Sequence, residues 1–168
     1  MRNKWGKNSK QSLIRGFNYS DSAVPVAYVF GADMMIRHDL FQELNGFDPD
    51  FFMYSEEEEL SWRIKNAGYD IINTPDAQIV HLEGASTKDS KGFNQRQFRL
   101  RMQGKLIYYR KCFGMAGMEE FYKARRTRFQ RLLKLAKIQG KDPVNTQVST
   151  MLECLDAEYQ SYKASFIQ

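Results

Sequence analysis

Short apolar runs separated by turns fill the first half of the chain, and a nearly unbroken helical period fills the second. Pro25-Val-Ala-Tyr-Val-Phe30 is β-branched and aromatic, the composition of a buried strand, and Met34-Met-Ile-Arg37 extends it beyond Gly31. Asp39–Leu44 places Leu40, Phe41 and Leu44 on one side of a short helix that Asn45-Gly46 stops. Phe47-Asp-Pro-Asp50 is a turn. Ser55 and Glu58 have capping-box spacing, which predicts a helix from Glu56 to about Ala67, closed by Gly68, with Leu60, Ile64 and Ala67 facing the core. Strands near 69–73 and 78–82 flank Thr74-Pro-Asp76, and helices follow at roughly 95–112, 118–139 and 146–166. Gly114, Gly117 and Gly140-Lys-Asp-Pro143 mark the breaks between them. The expected organisation is a polar, basic, flexible lead-in (1–22), a short α/β unit (23–92) and a helical extension (93–168).

Charge divides along the same lines. The 168 residues carry a net charge of +5, but residues 16–87 hold 13 acids against 3 bases, and residues 88–141 hold 16 bases against 3 acids. Such segregation implies two jobs: acids near a cleft hold a metal or act as bases, and a basic helical block attracts phosphate, nucleic acid or an anionic membrane surface. No apolar run approaches the roughly 18 residues of a membrane span. The basic N-terminus lacks the apolar stretch of a signal peptide. Cys112 and Cys154 stand far apart and fit reduced thiols of a cytoplasmic protein better than a disulfide or zinc site.

The chemistry concentrates in Phe51-Phe-Met-Tyr54 followed by four glutamates, Glu56 to Glu59, at the mouth of the predicted helix. Acids there have a structural use, since the helix dipole stabilises them and Glu59 can pair with Arg63 one turn on. Aromatic surface alongside would also desolvate a carboxylate and strengthen it as a base. His81 closes an apolar strand pattern, as a core histidine or a ligand, and Asp33 beside Gly31-Ala32 is a turn residue or a substrate contact.

The series Gly31-Ala-Asp-Met-Met-Ile-Arg37, Gly46-Phe-Asp48, Phe51-Phe-Met-Tyr54, Glu56-Glu57, Leu60, Trp62-Arg63, Ala67-Gly68-Tyr69, Pro75-Asp-Ala77, His81 and Gly84-Ala-Ser86 resembles the C-terminal half of a family 2 glycosyltransferase of the rhamnosyltransferase-like group. The match is dense over 25–90 and loose over 91–113. The resemblance implies an α/β GT-A fold of which this chain supplies the C-terminal half, followed by the helical extension. It implies Glu57 as the general base, Glu56 as an acceptor-positioning acid, and Gly31, Ala32, Asp33, Tyr54, Glu59 and Arg63 as substrate contacts. His81 would complete a divalent metal site for Mg²⁺ or Mn²⁺ in the complete enzyme. The implied reaction is inverting transfer from a nucleoside-diphosphate sugar to a polysaccharide or lipid-linked acceptor, by a cytoplasmic protein peripheral to the inner face of the plasma membrane.

Two departures stand out. The family's Asp positions are Glu at 57 and 59, and its nucleotide-binding half, with the Asp-x-Asp metal motif, has no counterpart beyond Asp48-Pro-Asp50. The chain alone is therefore expected to be inactive, with the nucleotide-binding half supplied in a longer protein or in trans. Rival readings are a non-catalytic partner subunit and a nucleic-acid-binding module built on the basic run Lys123–Arg131, although no nucleic-acid fold motif accompanies that run.

Overall fold

The structure, a computed structural model, describes residues 22–76 and 93–165. Strand β1 (Val24–Pro25) pairs antiparallel with β2 (Ile72–Asn73), Val24 opposite Asn73 and Pro25 opposite Ile72. The Val26 N–H continues the ladder to the Ile71 carbonyl at 2.9 Å. Of the strand expected over 25–30 only Pro25 lies in β1, and the expected extension at 34–37 lies outside regular structure. A strand persists only where a neighbour satisfies its backbone groups, and among the described residues the ribbon has just these two strands. The strand expected at 78–82 and the loop after it lie outside the described residues. The described chain is accordingly helix-rich with few strands.

A 3-10 turn (Gly31–Asp33) leads to α1 (His38–Glu43), and α2 spans Glu56–Asn66. Leu60 and Ile64 of α2 pack with Val26, Leu40 and Ile71 into one apolar core, and Phe41 of α1 and Leu44, which follows it, cover it. Ala67, expected inside, is exposed, because the chain leaves α2 there. Gly68 (φ 91°) ends α2 as expected: its N–H bonds to the Lys65 carbonyl at 3.1 Å, and the Tyr69 N–H bonds to Ile64 at 3.2 Å. Asn45 and Gly46 end α1 in the same way.

Helical residues Gln95–Ile138 form α3, interrupted at Gly114 (φ 72°, ψ −172°). The chain reverses there. Tyr109 stacks on Phe121 at 4.6 Å, and Phe98 lies 5.8 Å from Phe129, so the arms before and after Gly114 run antiparallel. Gly117, also expected to break the chain, stays helical. Helix α4 (Asp142–Ala164) closes a three-helix bundle around Met102, Phe129, Val148 and Leu155 at one level and Leu106, Met118 and Tyr159 at the next. Tyr122 stacks on Tyr159 at 3.8 Å. It begins four residues earlier than expected because Pro143 fits the first helical turn, where its missing N–H has no intrahelical partner to lose.

The bundle uses much of what the sequence offers as a membrane or nucleic-acid face. Phe98, Phe121, Phe129 and Leu133 pack inward. Within the basic run, Arg126 binds Asp156 of α4 at 3.1 Å, and Lys123 pairs with Glu119. Arg99, just upstream, binds the buried Glu158 at 2.6 Å. Both cysteines are free and buried. Burial, and then the nearby Glu59 charge, pushes the Cys112 thiol up to about 12. Native chain at neutral pH is therefore expected to resist alkylation at Cys112, with labelling appearing on denaturation; rapid labelling of Cys112 in the folded chain would contradict this packing.

Candidate active site

The four glutamates of α2 enter the helix from an unusual backbone. Ser55 precedes Glu56 with φ 72°, ψ 2°, in the left-handed region, and Tyr54 before it also has φ 72°. An N-cap serine needs extended backbone to aim its hydroxyl at the first helical N–H groups. At this φ/ψ Ser55 makes no such bond, so the expected capping box does not form. Two successive non-glycine residues in this region cost about 1–3 kcal/mol each and persist only where surrounding contacts impose them.

Those contacts come from the first arm of α3. Gln97 donates to the Tyr54 hydroxyl at 3.0 Å, and the Arg101 guanidinium lies 5.1 Å from the Tyr54 ring centroid. Gly104, inside the helix, lets the loop's main chain approach so closely that a Cβ there would stand 2.2 Å from the Tyr54 carbonyl oxygen. Gln97, Arg101 and Gly104 were not anticipated as part of the site; the one sequence signal was an isolated glycine within a helical pattern.

The tertiary structure then sorts the acids. Glu59, 4% exposed, receives Arg63 Nε at 2.8 Å and Nη2 at 2.8 Å. Arg63 also donates to the carbonyls of Leu44 and Gly46 (the latter at 2.7 Å), capping the end of α1. The pair expected at i,i+4 therefore forms and also ties α1 to α2. Glu58 is held in an ion pair by Lys105 of α3. Glu56 and Glu57 remain. One carboxylate oxygen of each, Oε2, is buried and accepts no hydrogen bond among the described residues. Desolvation raises the Glu57 carboxyl above the usual carboxylate range against the opposing pull of its own N–H, and repulsion from Glu56 and Glu58 adds to the rise.

Gly31 stands against this corner: a Cβ built on it would lie 3.9 Å from the Glu57 Cβ. Gly31, Ala32 and Asp33 form the exposed 3-10 turn, and Asp33 closes it by bonding its N–H to Phe30 at 3.1 Å. Of the aromatic run, Phe51 is buried whereas Phe52 is 77% exposed, so the apolar surface beside the acids is partly open. The structure thus brings Gly31, Tyr54, Glu56 and Glu57 to one corner and joins Glu59 and Arg63 behind them. His81 lies outside the described residues. Among the described residues no group of three or more His, Cys, Asp and Glu could hold a metal ion, and His81, the expected ligand, is not one of those residues.

The known proteins that the chain resembles share one kind of activity in their names. Over 83 residues the chain is 30% identical to the N-acetylglucosaminyl-diphospho-decaprenol L-rhamnosyltransferase of Mycobacterium tuberculosis (strains CDC 1551 / Oshkosh and ATCC 25618 / H37Rv), covering 49% of this chain and 27% of the relative. Over 100 residues it is 30% identical to rhamnosyltransferase WbbL of Escherichia coli (strain K12), covering 60% of this chain and 36% of the relative. No family model matches, and no solved structure matches. The chain therefore spans only 27–36% of the length of these curated relatives, and over that stretch it is similar to bacterial rhamnosyltransferases.

Proposed function

We propose that residues 23–92 are the acceptor and catalytic-base half of a GT-A domain in a family 2 inverting glycosyltransferase, with residues 93–168 as a helical brace behind it. The observation that carries this reading is the sorting of the glutamates. Glu58 and Glu59 are neutralised by Lys105 and Arg63, whereas Glu56 and Glu57 each keep a buried oxygen, at the N-terminus of α2, that has no partner among the described residues. Leaving such atoms without a partner costs about 1–3 kcal/mol, more for charged groups, which a bound hydroxyl would recover.

In this reading Glu57 accepts the proton of an acceptor hydroxyl as that oxygen attacks the anomeric carbon from the face opposite the nucleoside-diphosphate leaving group. The C–O bond to the diphosphate breaks as the new glycosidic bond forms, and the configuration inverts. A base raised toward neutral pH is better matched to that transfer. Glu56 orients the acceptor, and the absence of a side chain at Gly31 leaves room for the sugar beside Glu57. Tyr54 fixes the loop, and Ala32, Asp33, Glu59 and Arg63 shape the walls. The relatives' names support a rhamnosyl donor class, and the name of the Mycobacterium tuberculosis relative supports a lipid-linked acceptor. In the complete enzyme a divalent cation, Mg²⁺ or Mn²⁺, would have His81 as one ligand and would supply charge stabilisation to the departing diphosphate.

The test is reconstitution. Purified chain is expected to release no nucleoside diphosphate from sugar donors, and transfer should appear when the chain is combined with or joined to a nucleotide-binding half. Metal-dependent donor turnover by the chain alone would defeat the half-domain reading. So would a reconstituted pair that binds donor but never transfers.

A further inference from the structure

The outer end of the helical bundle has no role in the proposed transfer, and its side chains are unlike those of the rest of the bundle. Phe98 sits beside Phe129, and the first arm of α3 begins only three residues earlier, at Gln95. The last turns of the second arm and the start of α4 therefore extend past it. Phe129 and Ala136 face inward along this stretch. Leu135 is 53% and Ile138 72% exposed, and Leu132 and, at the start of α4, Val144 are exposed as well. Arg128, Arg131, Lys134, Lys137 and Lys141 are interleaved with them. None of these five cations forms an ion pair among the described residues, in contrast to Arg99, Arg126 and Lys163, which α3 and α4 neutralise. Asp142 is the one acid from Arg128 to Val144.

We propose that this end, from Arg128 to Val144, is a docking surface for an anionic lipid bilayer, on which the bundle rests. Aliphatic side chains one turn apart, with cations between them, satisfy both parts of a lipid interface: the apolar groups enter the acyl boundary and the cations meet the headgroups. Nucleic acid would use the cations but has no partner for protruding Leu and Ile, which cannot stack on bases as aromatics do. Among the described residues no helix is long and apolar enough to cross a membrane. The inference does not depend on the transferase reading, and the Glu57→Gln chain should bind lipid as the parent does.

The experiment is cosedimentation of the full chain with vesicles of phosphatidylcholine alone and of phosphatidylcholine mixed with phosphatidylglycerol. Binding is expected to the mixed vesicles only, and to weaken with salt. Lys134→Gln with Lys137→Gln should weaken it by about fivefold per lysine, the ratio equivalent to about 1 kcal/mol for each basic residue near the surface. Leu135→Gln with Ile138→Gln should weaken it at every salt concentration. All four side chains face solvent, so unchanged melting curves are expected and will show that the variants fold. Failure to bind anionic vesicles overturns the proposal. Binding untouched by the Leu135/Ile138 pair, with equal affinity for duplex DNA, overturns it too and assigns the surface to nucleic acid.

Discussion

Replacing Glu57 with Gln in the assembled transferase is expected to lower the rate of sugar transfer by about 10²–10⁴-fold, the usual contribution of a positioned general base, with donor binding nearly unchanged. The amide keeps the shape of the carboxylate but cannot take the acceptor's proton. Two further readouts separate this from a structural defect. Burial holds the folded-state pKa of Glu57 above its unfolded value, so the ionised carboxylate weakens the fold at any pH above the raised value, and that cost fades as pH falls through the folded and then the unfolded pKa. Glu57→Gln should therefore melt higher than the parent at neutral pH, and the difference should shrink on acidification. The acidic limb of the parent's pH–rate profile should likewise sit above the ordinary carboxylate range. A variant that transfers at the parent rate, or that loses transfer only because it melts lower, would remove Glu57 from the base role.

Gly104→Ala should destabilise the fold by about 1–3 kcal/mol, the range for overpacking a tight contact. At an ordinary helix-interior position the same change would stabilise by about 0.5–1 kcal/mol, because glycine loses more backbone freedom on folding than alanine. The sign is therefore the test. It reverses here because the new methyl would stand 2.2 Å from the Tyr54 carbonyl oxygen and 3.2 Å from that of Met53, and main chain cannot rotate aside as a side chain can. Relief would require α3 to retreat from the loop that presents Glu56 and Glu57. Transfer should fall together with melting temperature, although Gly104 touches no reacting group. A Gly104→Ala chain that melts above the parent would mean that α3 does not press on the loop.

Both predictions depend on an arrangement that was only partly legible in the sequence. The start of α2 at Glu56, its end at Gly68, the Glu59–Arg63 pair and the turn at Asp48–Asp50 were all foreseeable, because each is settled by residues within a turn or two of one another. Gly114 was equally clear as a break. The capping box failed for the opposite reason. Ser55 and Glu58 have the right spacing, but pressure from α3 on Tyr54 throws Ser55 into the left-handed region, and Lys105, 47 residues downstream, draws Glu58 away. Nothing within the four glutamates distinguishes one from the next; partners from distant segments decide which are neutralised and which stay open.

The same division holds across the molecule. By itself the sequence determined local hydrogen-bonded geometry and the segregation of charge into an acidic first half and a basic second half, since short-range backbone preferences and composition suffice for both. Only the tertiary structure decided which acids keep a free oxygen, which helix glycine is a point of contact, and which Leu and Arg residues remain outside the bundle. Burial and pairing are set by what another part of the chain brings into contact, and no pattern confined to one segment encodes that partner.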